Sequence, residues 1–459
     1  RMDQPHRNFA KTLLLPQPFP KSAADNQKPY DDVAWSLDYM LGVTVTPVDD
    51  PAALGLAGRR LSAVPELPGT VEAGSRWIIE HRGQAALASL RWALPEGAEV
   101  LALREPWQGH GVGSLVIAGV GRDQLAAAVE PLHLHAAAIA EAPPTAATVT
   151  VNRPRVALFH SWRYTQDSGW LRFTLEQLQI PYTLIDKDDL RQGDLRNQYD
   201  LILIPSMGDM SFRDLVHGID RKWSPLAYTQ TAEYPSHGVI DSSPDITGGM
   251  GFEGLGNLQT FVEAGGLLLC LGSGGILASE GGLAPDVATA RPGGTPGSHL
   301  TTKVLRPEHP LVWGVPEVDW VFRGNLPIYS VGEWDRGRTI MQFGTKTWAD
   351  VEREADGDAD IPQDPAPLAA LEGEETEAAP KPKQPPLVRS GIVDKAKVID
   401  HHPALLDVPA GKGRVVFYAW NPMHRHQNEH DFAFVTNALL FFDDFPSVPS
   451  RDEMRARER

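Results

Sequence analysis

The sequence predicts an α/β protein with a doubly wound, mostly parallel sheet, preceded by a smaller α/β domain. Three apolar runs, at residues 155–160, 200–205 and 267–271, have the continuous composition of strands that are covered on both faces. Stretches with the spacing of amphipathic helices lie between them, at 168–179 and 253–264. Strands that alternate with helices in this way pair in parallel through right-handed crossovers.

The smaller α/β domain is predicted to span residues 61–145. Its predicted strands are 77–80, 99–103 and 113–117, and its predicted helices are 84–94 and 122–129. Residues 1–60 are rich in Pro, Asn and Asp, and only 32–41 have helical spacing. We expect this connector to dock onto another part of the protein, while the Pro-Pro pair within 142–145 marks a linker.

The larger domain is predicted to span residues 153–445. Further strand-like runs lie at 181–185, 300–305, 339–343 and 415–420, and a helix is expected at 430–440. A long insertion rich in Gly, Pro and Ser occupies 206–251. Residues 352–386 are dominated by Asp, Glu, Pro, Ala and Lys, a composition that predicts a disordered acidic insertion. Residues 446–459 form a charged tail.

Composition limits the possible partners. The 459 residues carry a formal charge of -17, and no basic stripe offsets it, which argues against nucleic-acid binding. No apolar run approaches the roughly 18 residues of a membrane span. One cysteine excludes an intrachain disulfide framework. The chain begins with Arg and shows no signal peptide, so we expect a processed or excised piece. The sequence leaves open whether the chain forms a homo-oligomer.

Histidines are numerous, but their spacing does not predict a metal site. A helix-borne His-x-x-x-His with Glu is absent, and His426-Gln-Asn-Glu429 is the only His-x-x-Glu motif. His424, His426 and His430 could cluster around a metal. A polar loop followed by a helix start is the preferred interpretation. The sequence therefore predicts neither a metal nor another cofactor in this chain.

Two side chains near the end of the 267–271 strand are weak candidates for a nucleophile. Cys270 and Ser273 precede a glycine-rich turn, where some hydrolases and amidotransferases present their nucleophile, and His424 is the candidate base. The first glycine of the Gly-x-nucleophile-x-Gly motif is missing. Cys270 is better interpreted as buried core, and we expect Ser273 to be exposed and to cap a helix.

Polar side chains follow several predicted strands. The carboxyl ends of parallel strands face one crevice, which is the usual ligand site of open α/β sheets. The predicted crevice residues are His160, Trp162, Arg163, Asp167, Ser206, Ser273, Arg323, Asn325, His424 and His426.

Short blocks along nearly the whole chain resemble the C-terminal half of large bacterial zinc carboxypeptidases of the carboxypeptidase A-like family. The blocks are Arg1-Met-Asp-Gln-Pro5, Pro29-Tyr-Asp-Asp32, Gln166-Asp-Ser-Gly-Trp170, Pro181-Tyr-Thr183, Gly193-Asp-Leu-Arg196, Tyr199-Asp200, Glu308-His-Pro310, Phe322-Arg-Gly-Asn325 and Asn421-Pro-Met-His-Arg425. The resemblance implies a class I glutamine amidotransferase-like, flavodoxin-like fold for the larger domain. It also implies a zinc-containing catalytic domain N-terminal to this region, and export to the periplasm or beyond.

Two functional hypotheses follow. In the first, the chain is a non-catalytic accessory region that presents peptide or protein substrate to its own N-terminal carboxypeptidase domain or to a companion chain. The resemblance places the zinc and its ligands in that domain and none in this chain. In the second, the chain is itself a hydrolase or amidotransferase-like enzyme that uses Ser273 or Cys270 with His424.

Overall fold

The structure is a computed structural model that describes residues 5–19, 29, 34–56, 58, 61–219, 225–348, 350–351, 384–394 and 396–457. The predicted disordered insertion, 352–386, lies outside the described residues apart from 384–386. Within the described part of the chain, no helix is both long and apolar enough to cross a membrane.

The described parts of the connector pack on later segments of the chain. They contain helices α1 (Arg7–Leu13) and α2 (Leu37–Leu41). The backbone N–H of Gln17 donates to Ser390 Oγ at 2.9 Å, and Ser36 Oγ lies 2.8 Å from the same hydroxyl. Trp320 Nε1–H donates to the carbonyl of Tyr39 at 3.0 Å. These polar contacts attach the connector to the edge of the larger sheet.

The first sheet has six strands with mixed pairing, in the order β1-β5-β2-β4-β3-β6. Its elements are β1 (Thr70–Val71), β2 (Trp77–Ile79), α3 (Ala86–Ala93), β3 (Glu99–Leu103), β4 (Leu115–Ala118), α4 (Arg122–Val129), β5 (His135–Ala138) and β6 (Thr148–Thr150). The predicted strands and helices of the smaller domain are all present. Strand β6 lies beyond the predicted boundary at 145 and pairs with β3.

The second sheet has ten strands, in the order β13-β12-β15-β17-β18-β10-β9-β7-β8, with β16 also paired to β12. Its strands are β7 (Val156–Phe159), β8 (Thr183–Ile185), β9 (Leu201–Ile204), β10 (Leu267–Leu271), β12 (Ser298–Val304), β13 (Val318–Arg323), β15 (Thr339–Phe343), β16 (Val388–Ser390), β17 (Pro403–Ala410) and β18 (Gly413–Tyr418). Strands β11 (Val287–Ala290) and β14 (Ile328–Val331) pair separately.

This sheet is mixed rather than mostly parallel. Strands β8, β7, β9, β10 and β18 pair in parallel, as predicted from their apolar runs. From β18 outward, every pairing is antiparallel. The antiparallel half arises because residues after 283 connect strands mainly through short turns and 3-10 segments, without the long helical crossovers that parallel pairing needs.

Most helices of the larger unit lie between its strands in the chain, and the last two follow β18. They are α5 (Gln166–Gln177), α6 (Lys187–Gln192), α7 (Leu195–Gln198), α8 (Phe212–His217), α9 (Gly251–Glu263), α10 (Gly275–Glu280), α11 (Ala396–Ile399), α12 (Phe432–Leu440) and α13 (Arg451–Arg457). Every residue of β7, β9 and β10 is buried. Each fully buried Leu or Ile side chain contributes roughly 1.5–3 kcal/mol, so these three strands anchor the core.

The two sheets are joined by a buried polar contact. His81 Nε2 lies 2.8 Å from Asn437 Oδ1 on α12, and the Asn437 amide donates to the carbonyl of Trp313 at 3.0 Å. Burial lowers the pKa of His81 to about 4, so its ring is neutral at pH 7. The first sheet is therefore held against the second by satisfied neutral groups.

The charged tail is folded where it is described. Met454 of α13 is buried, Arg455 bonds to Glu333 at 3.0 Å and Arg457 bonds to Glu308 at 2.9 Å. One buried apolar side chain and several ion pairs hold the tail against the antiparallel half of the larger sheet.

Candidate ligand-binding crevice

The strand order of the parallel half locates a crevice. In chain order the parallel strands are β7, β8, β9, β10 and β18. Across the sheet they lie in the order β8-β7-β9-β10-β18, which is 2-1-3-4-5 when they are numbered along the chain. The order reverses at β7, and open α/β sheets bind ligands outside the carboxyl ends of the strands near this reversal. A cavity of about 200 Å³ lies at this edge. It is lined by Asp167, Ser206, Gly208, Pro296, Gly297, Phe322, Gly324, Asn325, Leu326, Asn421 and His424.

Four of the predicted crevice residues line this cavity: Asp167, Ser206, Asn325 and His424. Asn421 is a lining residue that the sequence prediction missed. Asn421 directly follows the apolar run of β18. The Asn-Pro pair that ends this run is the sequence signal that could have identified Asn421 as a crevice residue.

Asp167 is the titratable group of the crevice with a clearly perturbed pKa. It lies in the first turn of α5 and is half-buried. Burial raises the pKa of this carboxyl above its ordinary value, against the opposing effects of His424, Arg425 and hydrogen bonds from Ser206 and Asn421. Asp167 can therefore accept hydrogen bonds as a carboxylate, or donate one when protonated.

Ser273 is buried, not exposed as predicted. Its side chain is 3% accessible, and its Oγ accepts the backbone N–H of Met207 at 2.8 Å. The same Oγ lies 3.2 Å from Ser206 Oγ. No side-chain cap is formed on the 3-10 turn that follows β10. Ser273 therefore ties the end of β10 to the loop after β9.

Gly272 makes this close approach possible. Its φ of +51° lies in the left-handed region, and a Cβ at this position would lie 3.0 Å from Ser206 Oγ. Cys270, two residues earlier, is buried inside β10, and burial raises the pKa of its thiol. A thiol that stays protonated in an apolar strand is a poor nucleophile, in agreement with the interpretation of Cys270 as core.

Arg323 was predicted to line the crevice, and this prediction is wrong. Its side chain lies behind the wall of the crevice and supports it. The side chain is fully buried and donates to Thr295 Oγ1 and the Gly324 carbonyl, each at 3.1 Å, and to the Leu326 carbonyl. Burial lowers the pKa of Arg323 to about 9. Asn325 Oδ1 accepts the Thr295 N–H at 2.7 Å, which fixes the same wall.

The other predicted side chains that follow β7 lie outside the crevice. His160, Trp162 and Arg163 line a separate cavity of about 30 Å³ beside the 206–250 insertion. Arg163 lies 3.5 Å from Asp214. Residues of the insertion line both cavities, with Ser206 and Gly208 at the 200 Å³ crevice and Met210 at the smaller one.

The three histidines near the start of α12 diverge. His424 lines the crevice and stacks on Phe322, whereas His426 lies 3.0 Å from Thr174 Oγ1. His430 lies 3.1 Å from Asp319 Oδ2. Among the described residues, the group of His, Cys, Asp and Glu side chains placed to hold a metal ion is a different one: His160, Asp186 and Asp241.

A larger cavity, of about 580 Å³, lies where the two sheets meet α13. Val112, Val304 and Trp313 line it, together with Glu308 and Arg457, which form an ion pair. It does not lie at the carboxyl ends of the parallel strands. The 200 Å³ crevice has the stronger geometry for a site because polar groups from four loops converge there.

Comparisons with known proteins do not assign a family. No family model matches the chain, and no curated protein matches it. A protein from Bacteroides uniformis ATCC 8492 described as ThuA-like is 8% identical, with 67% of this chain and 96% of that chain covered and a TM-score of 0.33. A protein from Thermoplasma acidophilum described as part of a GMP synthase is also 8% identical, over 62% and 92% of the two chains, with a TM-score of 0.28.

A β-galactosidase from Bacillus circulans sp. alkalophilus is 10% identical over 64% of this chain, with a TM-score of 0.28. The match covers 31% of that enzyme, so this chain spans about a third of its length. At these TM-scores the likenesses carry no argument about fold or function.

Proposed function

We propose that this chain is the non-catalytic, substrate-presenting C-terminal region of an exported zinc carboxypeptidase of the carboxypeptidase A-like family. The observation that carries the proposal is a polar crevice in which neither predicted nucleophile is poised for attack. The hydroxyl of Ser273 bonds to Met207 and Ser206, and Cys270 lies inside a core strand. The block resemblance along the chain supplies the family.

We further propose that the parallel half is a class I glutamine amidotransferase-like scaffold. Its spatial order of second, first, third, fourth and fifth strand is the flavodoxin-like order. The antiparallel strands β12, β13, β15, β16 and β17 extend this scaffold, and β13 contributes Phe322 to the crevice. The elbow that would carry an amidotransferase nucleophile is incomplete, which favours binding over glutaminase chemistry.

The crevice has the size and polarity to bind the end of a peptide. Its volume of about 200 Å³ is smaller than the roughly 300–1,000 Å³ of drug-sized pockets, so it suits about one residue. The Asp167 carboxyl can accept a hydrogen bond from an amine or amide, and the His424 ring and the Asn325 amide offer further hydrogen-bonding groups. Such a set recognises backbone groups without cutting them.

The proposed partner is the N-terminal zinc carboxypeptidase domain, on the same precursor or as a separate chain, and the site of action is periplasmic or extracellular. Zinc for catalysis would belong to that domain. The chain's own contribution would be to hold peptide or protein substrate near it.

Peptide binding to the purified chain tests the proposal. Isothermal titration with short peptides should show saturable binding without hydrolysis, and His424→Ala should weaken that binding about tenfold, as expected for one lost hydrogen bond of about 1.4 kcal/mol. Arg163→Ala is the matched control, because Arg163 lies in the separate cavity and its loss should leave affinity unchanged. Equal affinity for wild type and His424→Ala would refute the assignment of the crevice.

The second candidate is a hydrolase that uses Ser273 or Cys270 with His424. The hydrogen bonds of Ser273 within the described chain go to Ser206 and Met207, not to a histidine. A general base must lie within hydrogen-bond reach of the proton that it takes. Turnover of amide or peptide substrates by the isolated chain, abolished by Ser273→Ala or Cys270→Ala, would favour this candidate over the first.

A further inference from the structure

We propose that His160, Asp186 and Asp241 bind a divalent metal ion that clips the 206–250 insertion to the edge of the larger sheet. Each residue offers one ligand atom, and these atoms all lie within 4.8 Å of one another. His160 follows β7, Asp186 follows β8, and Asp241 belongs to the insertion. Metal–nitrogen and metal–oxygen bonds of about 2.0–2.2 Å would require only small movements of these side chains.

The buried carboxylate of this cluster, Asp186, has no Lys or Arg partner in the part of the chain that the structure describes. Asp186 is 1% exposed, and its hydrogen bonds come from the backbone N–H groups of Asp188 and Asp189 and from Trp162 Nε1–H. Among the described residues, no Lys or Arg forms an ion pair with Asp186 or Asp241. Buried charges in proteins are paired or coordinate metals, so a bound cation would supply the missing charge.

The adjacent ammonium group does not fill this role. Lys187 Nζ donates to Asp188 Oδ2 at 2.7 Å and to Ser243 Oγ at 2.8 Å. The lysine is thus committed to a neighbouring carboxylate outside the cluster. Within the cluster itself, the ion-pair contact is the one between His160 and Asp241.

Neighbouring groups hold the ligands in place. Trp162 Nε1–H donates to Asp186 Oδ2 at 2.8 Å, and the Trp162 ring packs edge-on against His160 with centroids 4.7 Å apart. The backbone N–H of Ser242 donates to Asp241 Oδ1 at 2.8 Å, while Oδ2 of that carboxylate contacts His160 Nε2. Outer contacts of this kind orient metal ligands and tune their affinity.

The donor set favours zinc over magnesium or calcium. One imidazole nitrogen and two carboxylate oxygens suit borderline divalent ions, whereas Mg²⁺ and Ca²⁺ prefer oxygen ligands alone. Three protein ligands leave one tetrahedral position for water. The cavity of about 30 Å³ that touches His160 has the volume of about one water molecule.

A metal bound here would link three segments that are remote in sequence. It would join the ends of β7 and β8 to the insertion, which is otherwise attached through contacts such as that of Lys187 Nζ with Ser243 Oγ at 2.8 Å. Because only the folded chain brings the ligands together, binding would stabilise the native state by linkage. Metal binding at this site does not depend on peptide binding in the 200 Å³ crevice.

Zinc titration of the untagged full chain, stripped with chelator, tests the site. We expect one equivalent of Zn²⁺ to bind, with a rise in Tm, and little response to Mg²⁺ or Ca²⁺. His160→Gln and Asp241→Asn should each lower zinc affinity by about 100-fold, and Trp162→Phe, which removes only an outer contact, by about 10-fold. Asp186 is left intact because its side chain also caps α6.

His135→Gln is the matched control, since His135 is exposed and pairs with Glu72 in the first sheet. Circular dichroism would check that each variant is folded, and the visible absorption of bound Co²⁺ would report the ligand set directly. Loss of the Co²⁺ bands in folded His160→Gln or Asp241→Asn supports the site. Absence of saturable zinc binding, or equal zinc affinity in the wild type and both ligand variants, would overturn it.

Discussion

Arg306 and Asp407 form a fully buried ion pair, with Arg306 Nη1 3.3 Å from Asp407 Oδ2 and neither side chain exposed. His309 Nε2, at 3.3 Å, and Arg414 Nη1, at 2.7 Å, contact the same carboxylate oxygen. Burial favours the protonated acid, yet these three partners together hold the pKa of Asp407 below its ordinary value. The cluster joins β17 and β18 to the segment after β12.

Removal of the Asp407 carboxylate should destabilise the fold strongly. Asp407→Ala removes the buried counter-ion of Arg306 and leaves it the more exposed Glu308 at 3.6 Å, and breaking a buried pair costs about 3–5 kcal/mol. Urea unfolding followed by circular dichroism measures the loss. Asp444→Ala, which breaks the more exposed pair with Arg104, is the control and should cost under about 1 kcal/mol. Similar losses for both variants would contradict the role of burial.

Asp431 should make stability depend on pH. Burial raises its pKa to about 7, against the opposing effect of His430, so the folded state binds a proton more tightly than the unfolded state. The stabilisation is complete below the unfolded pKa near 4 and is lost as pH rises through about 7. Burial lowers the pKa of His430, but the hydrogen bond and the charge of Asp319 outweigh this effect and raise the pKa overall. The stabilising contribution of His430 is therefore also lost as pH rises.

Asp431→Asn isolates this effect from other titrating groups such as His81. The stability of the variant relative to the wild type should increase by roughly 1–3 kcal/mol between pH 5 and pH 8. Unfolding curves at both pH values measure the difference. A difference that does not change with pH would show that Asp431 is not protonated in the fold.

The Cys270 thiol should be inert in the native protein. It lies in the middle of a buried strand, and burial raises its pKa, so both access and thiolate fraction are small. Ellman's reagent should release one equivalent of chromophore in urea and almost none under native conditions, with a native rate that follows opening of β10. Rapid labelling of the Cys270 thiol in the native protein would favour the hydrolase candidate.

Ser273→Ala should cost about 1–3 kcal/mol of stability. The buried N–H of Met207 would lose its acceptor, and an unsatisfied buried donor carries a penalty of that size. Urea unfolding measures the effect, with the exposed Ser242→Ala as a control near zero. If Ser273→Ala is as stable as wild type, the hydroxyl does not tie the two loops together.

Much of the parallel half could be predicted from residue patterns. The apolar runs of β7, β9 and β10 report that both faces of each strand are covered, and the structure buries every residue of all three. Asp167, Ser206 and His424 could be assigned to the crevice because each follows or lies near a strand end. Arg323 looked similar in sequence, but its side chain turns inward to bond to main-chain carbonyls.

The residue pattern by itself determined where the parallel strands and the longer helices lie, that Cys270 belongs to the core, and that polar groups follow the parallel strands. Tertiary structure alone decided which strands pair antiparallel, that Ser273 is buried against Met207, and that Asp241 meets His160 across 81 residues of sequence. The physical reason is that periodicity reports the burial of a single segment. Contacts between distant segments depend on how loops close and pack, which local composition does not encode.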